Sequence, residues 1–102
     1  MSKTSQAAGP GVPGVTDSTV RPSPDVVARR LDRAGVLVHL PTNRIFELNE
    51  TGMRVWELLS DGEGVANIVN RLVMEFDVDG PRATREVNEL IVRFRAEGFL
   101  AQ

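Results

Sequence analysis

The residues able to do chemistry in this chain are few. There is one histidine, His39, and there is no cysteine. A lone imidazole with no second His and no thiolate cannot assemble a structural zinc site, and a chain without cysteine has no disulfide, Fe–S cluster or thiol nucleophile. Glu47 and Glu50 flank a strand–helix junction and are the candidate acid–base pair. They fall on different elements with no signal of burial, so solvated surface is the expected role. Around Gly62 and Gly64 neither the Gly pattern nor the following Lys of a phosphate loop is present. These residues hold no constellation for catalysis, and the chain is expected to hold something rather than transform it.

The elements that position these residues are bounded first by composition. The 102 residues carry 12 basic and 14 acidic side chains, a net charge of −2. That balance argues against nucleic-acid binding by bulk electrostatics. No apolar run approaches the ~20 residues a membrane span needs. Met1 to Val20 has a lone Lys3 and no apolar stretch, so no secretory signal is read there and a cytoplasmic protein is expected. No cofactor or metal is expected. Residues 1–24 alternate Ser, Thr, Gly, Pro and Ala, with Gly9-Pro10-Gly11 and Pro13-Gly14 as breakers. Such a segment buries too little apolar surface to offset its ordering entropy, which predicts a disordered tail before one domain over residues 25–102.

Within that domain the pattern begins with period two. Asp25–Leu31 predicts a strand, Arg33-Ala34-Gly35 a turn, and Val36–Leu40 a second strand. Pro41-Thr42-Asn43 closes a hairpin, Pro41 presetting φ and Asn43 tolerating the left-handed conformation. In the third strand, Arg44–Leu48, residues Arg44, Phe46 and Leu48 face one way, Ile45 and Glu47 the other. The period then changes. Asn49 is an N-cap, and Leu48 and Met53 form a hydrophobic staple. A helix over Glu50–Leu59 stops at Ser60-Asp61-Gly62. A second helix from Val65 carries the stripe Val65, Ile68, Val69, Leu72, Val73 and Phe76. Pro81 opens a third helix whose stripe is Ala83, Val87, Leu90, Ile91 and Phe94, with Gly98 as its C-terminal stop. The fold class is α+β: a winged helix-turn-helix-like domain, three-stranded antiparallel sheet followed by three helices (βββααα).

On the third helix, Arg82, Arg85, Arg93 and Arg95 interleave with Glu86, Glu89 and Glu97. A winged-helix DNA-binding transcriptional regulator would use such a helix for recognition, but the glutamates would then face phosphates. A solvated face laced with i,i+4 ion pairs is the plainer reading. A third is a groove lined by Asn88, Val92 and Arg95 that recognises a peptide. The third strand supports it, because the last strand of a meander offers unpaired N–H and C=O groups to an extended chain.

The stretch from His39 to Leu100 resembles the PqqD family, the stand-alone RiPP recognition elements. The resemblance is carried by the hairpin turn, Phe-x-Leu-Asn-x-Thr-Gly at Phe46–Gly52, the Trp-x-Leu-Leu helix, Asp61-Gly62, and Glu-Gly-Phe-Leu at Glu97–Leu100. It departs at two places, where Asn43 replaces the usual turn Gly and Gly64 a Ser/Thr cap. The resemblance implies a non-catalytic adaptor. Such proteins bind the leader segment of a ribosomally made precursor peptide as an added strand. They deliver it to a modifying enzyme such as a radical SAM protein or a lasso-peptide leader peptidase. Carried onto this sequence, the peptide-binding residues are Arg44, Ile45, Phe46, Glu47 and Leu48 of the third strand, with Asn88, Ile91, Val92 and Arg95 of the third helix. Ile91 also belongs to the apolar stripe, and core packing is its alternative role. The strand edge is either open or taken by a second copy of the chain in a homodimer.

Overall fold

A computed structural model describes residues 20–101. Three strands lead: β1 (Val26–Leu31), β2 (Ala34–His39) and β3 (Arg44–Leu48). Three helices follow: α1 (Glu50–Ser60), α2 (Val65–Glu75) and α3 (Gly80–Ala96). The sheet is an antiparallel meander in the order β1-β2-β3. The expected α+β architecture is therefore the one observed. Of the tail expected over residues 1–24, residues 1–19 lie outside the described residues. Residues 20–24 are tied down: the Ser23 N–H donates to the Phe99 carbonyl at 2.8 Å, and Pro22 bridges to Leu100.

The first turn differs from its sequence reading. It is the two-residue loop Asp32-Arg33, and Ala34 and Gly35 already belong to β2. A two-residue hairpin needs a positive φ, and Asp32 supplies it at 60°. Gly35 is required for another reason. It pairs with Leu48 in the sheet under the Met53 side chain, and a Cβ there would collide with Met53 Sδ and lie 2.9 Å from the Arg29 carbonyl oxygen. The sulfur can swing aside, whereas the carbonyl is fixed in the ladder. Gly35→Ala is expected to destabilise the domain by about 1–3 kcal/mol, read as a lower urea midpoint at unchanged m-value.

The second hairpin and the strand–helix junction form as read. Asn43 takes φ 58°. The Asn49 side chain accepts from the Gly52 N–H at 2.8 Å, capping α1, and both ends of the staple, Leu48 and Met53, are buried. On α2 only Ile68 and Leu72 are fully covered, while Val73, also in the expected stripe, is exposed. Asp79 caps α3 by accepting from the Arg82 N–H at 2.9 Å. Phe99 and Leu100 fold back into the core past Gly98, which takes φ 81°.

All the helices lie on one side of the sheet, against Leu37, Phe46 and Leu48. The core centres on Phe94 of α3. Its ring meets Trp56 edge-on with centroids 5.2 Å apart and Phe46 edge-on at 6.2 Å. One aromatic cluster thus joins α1, α3 and the face of β3.

A chain of ion pairs ties the layers at the opposite side. Arg30 of β1 grips Glu57 of α1 through two bonds of 2.9 Å. Arg54 bridges Glu57 at 3.4 Å and Glu75 of α2 at 2.8 Å, and Arg71 joins Glu75 at 3.1 Å. The Arg30 hydrogen bonds hold the Glu57 carboxyl below its ordinary value of 4.5, and those from Arg54 do the same for Glu75. Both carboxylates bind protons more weakly folded than unfolded. Their contribution is therefore complete above about pH 4.5 and is lost as pH falls through the lower folded values. The urea midpoint is expected to drop on acidification through that window. E57Q/E75Q should be less stable at pH 7 and show a shallower acid dependence.

Candidate functional site

His39 and the carboxylates form no reactive cluster. His39 Nδ1 lies 2.8 Å from the Thr42 hydroxyl, and its ring stands 5.9 Å from Phe99, so it pins the hairpin turn. Glu50 is exposed and approaches Arg33 at 3.9 Å. Among the described residues no group of three or more His, Asp or Glu could hold a metal ion, and no helix is long and apolar enough to cross a membrane.

The sheet has two open edges, β1 and β3, and the one that runs beside α3 is β3. In an antiparallel ladder, residue pairs that exchange hydrogen bonds alternate with pairs that do not. The Leu40 N–H donates to the Asp25 carbonyl at 2.9 Å, which fixes the phase. Val38 and Val36, opposite Val27 and Arg29, therefore spend their N–H and C=O on β1. Gly35, Leu37 and His39 turn theirs to Leu48, Phe46 and Arg44 of β3. Ile45 and Glu47 are left with N–H and C=O pointing out of the sheet. No described strand lies beyond β3. Two residues with one donor and one acceptor each make a docking edge for an extended chain.

Beside that edge runs a groove of about 500 Å³ between β3 and α3. Phe46 and Leu90 give it an apolar floor, with Arg82, Glu86, Glu89 and Arg93 along the helix. The Arg93 guanidinium sits 5.0 Å above the Phe46 ring and pairs with Glu97 at 3.4 Å. Arg44 also pairs with Glu97, joining the start of β3 to the end of α3. These are exposed pairs, individually weak and easily exchanged for contacts with an incoming chain.

The strand residues singled out in the sequence all lie at this place. Phe46 and Leu48 face the groove side, the latter nearly buried. Ile45, 68% exposed, and Glu47 point their side chains to the opposite face of the sheet. The helix residues divide. Asn88 and Val92 line a shallow apolar cleft of about 390 Å³ on the outer flank of α3, which shares Glu89 and Arg93 with the groove. Ile91 is only 7% exposed and belongs to the core, and Arg95 lines none of the described cavities, so neither reaches the groove. The helix residues that line it include Glu86, Leu90 and Arg93, which the sequence reading assigned to the solvated face and, for Leu90, to the apolar stripe. Their i, i+4, i+7 spacing was a usable signal. What the sequence withheld was the rotation of that stripe relative to β3.

Nor is the groove side of α3 basic. Arg82 pairs with Glu86 at 3.1 Å and Arg93 with Glu97, so phosphates would meet carboxylates. The DNA-binding alternative has no support here.

Comparison with known proteins agrees with this geometry. No curated protein sequence matches the chain. Among solved structures, "TbiB1 in Complex with the TbiA(beta) Leader Peptide" is similar at 31% identity, over 78% of this chain and 93% of that one, with a TM-score of 0.74. "Lasso peptide synthetase B1 complexed with the leader peptide" shares the fold at 23% identity, over 81% of this chain and 98% of that one, with a TM-score of 0.74. Residues 34–100 match the family described as coenzyme PQQ synthesis protein D (PqqD). From β2 through the buried Phe99-Leu100 return, the chain belongs to the PqqD family.

Proposed function

We propose that this chain is a non-catalytic adaptor that binds the leader segment of a ribosomally made precursor peptide and delivers it to a modifying enzyme. Residues 25–102 are the recognition domain. The observation that carries the reading is the pair of outward-facing main-chain positions, Ile45 and Glu47, beside a groove floored by Phe46 and Leu90. An extended peptide pairs with those positions and lays alternate side chains against Phe46. Main-chain pairing gives affinity that tolerates sequence change, while the groove reads a few side chains. Both similar solved structures hold a leader peptide, which supports the same class of ligand here. The enzyme served is a radical SAM protein or a leader peptidase, and the adaptor acts by raising the local concentration of the attached core peptide. The site comprises Arg44–Leu48 with Leu90 and Arg93, and the Asn88–Val92 cleft extends it.

Titration of the isotope-labelled chain with synthetic leader segments of candidate precursor peptides tests this. The expected result is saturable binding with amide shifts concentrated on Arg44–Leu48 and on the Glu86–Arg93 face of α3. Binding that leaves β3 unperturbed, or no binding, overturns it.

A further inference from the structure

The helices cover only one face of the sheet. The other face carries Val27, Leu31, Ile45 and, just past β2, Leu40, all exposed apolar side chains. The register sorts this face into rows across the strands. One row is Val27–Val38–Ile45, wholly apolar. The next is Arg29–Val36–Glu47, with a cation on β1, a valine on β2 and an anion on β3. Neither Arg29 nor Glu47 joins any ion pair among the described residues. They stand about 10 Å apart, two strand spacings, across β2.

This arrangement is self-complementary about one axis. A two-fold rotation about a line running along β2, in front of the face, lays β1 of one copy over β3 of the other and preserves the rows. Val27 then meets Ile45 of the second copy, Val36 and Val38 meet their own counterparts, and Arg29 meets Glu47 twice by symmetry. Strands of the two sheets stay nearly aligned, as in sheet-on-sheet packing. We infer that the outer face of the sheet seats a second copy of this chain in an isologous face-to-face dimer. The main-chain groups of Ile45 and Glu47 point sideways, out of the sheet plane's edge, so the dimer leaves both docking edges open. The patch measures roughly 20 by 14 Å, well short of the ~800 Å² per partner of a standard interface. The dimer is therefore weak and dissociates on dilution, with a Kd of about 10 µM to 1 mM.

Sedimentation velocity of the full chain without any peptide, over a dilution series spanning that range, tests it independently of leader binding. A concentration-dependent monomer–dimer equilibrium is expected. E47R alone and R29E alone each set like charges opposite one another twice, and each should weaken the dimer about tenfold. The double swap R29E/E47R restores opposite charges and should return Kd to within about threefold of the starting value. Val38→Lys, which brings two lysines together on the axis, should leave only monomer, with the far-ultraviolet dichroism of the fold unchanged. A monomer at every concentration overturns the inference. Self-association indifferent to the charge swaps, or not rescued by the double swap, also overturns it, because the copies then meet elsewhere.

Discussion

Proline at Ile45 and at Glu47 is expected to weaken peptide binding severely while the domain stays folded. Both N–H groups face away from β2, so neither substitution removes a ladder hydrogen bond, and proline is tolerated on an edge strand in that position. The flanking residues are already extended, as a following proline demands. What disappears is half of the docking edge. Each lost N–H leaves a peptide carbonyl without its partner, at about 1–3 kcal/mol. The double variant I45P/E47P should bind a leader peptide at least about thirtyfold more weakly by calorimetry or fluorescence anisotropy. The control lies one residue away. The Phe46 N–H points inward to Leu37 and its ring packs on Phe94 and Phe99, so Phe46→Pro is expected to unfold the chain. Retained binding by the double variant would place the peptide elsewhere.

Among side-chain truncations, Phe94→Ala should have the largest effect on stability. The side chain is fully buried, with the Trp56 and Phe46 rings edge-on to it. Deleting a buried Phe costs about 3–5 kcal/mol. A domain of about eighty residues has only some 4–12 kcal/mol in total. The variant should therefore sit at or near the edge of unfolding at 25 °C. Trp56, the sole tryptophan and 3% exposed, reports it directly through the red shift of its emission on unfolding. Because Phe94 also backs Phe46, whatever folded fraction survives should bind peptide poorly. A variant with an unchanged urea midpoint would refute the central place given to this ring.

These two cases show what the sequence could and could not carry. Arg44–Leu48 was legible in both extent and facing, because strand alternation has a period of two and is fixed by Phe46 and Leu48. Asn49 and Gly98 were legible because capping chemistry is local. Asp32 was not, since Gly35 nearby is the stronger turn residue and its true role, making room under Met53, is a tertiary contact. The groove side of α3 was legible as a stripe but not in phase. Helical periodicity places Glu86, Leu90 and Arg93 together. Only packing against β3 decides that this stripe, rather than Asn88, Ile91 and Arg95, borders the edge. The charge-matched Arg29 and Glu47 were invisible for a similar reason, since they share a row only through the register of three strands.

The clasp between residues 21–23 and 99–101 has a consequence for how this domain is used. The Ala101 N–H donates to the Arg21 carbonyl at 2.8 Å, and the Ser23 N–H to that of Phe99, so incoming and outgoing chain leave the domain side by side. A unit whose ends meet can be spliced into a surface loop of a larger protein without stretching either one. The same fold can therefore serve as a free-standing carrier or as a cassette inside the enzyme it supplies, with β3 untouched by the change.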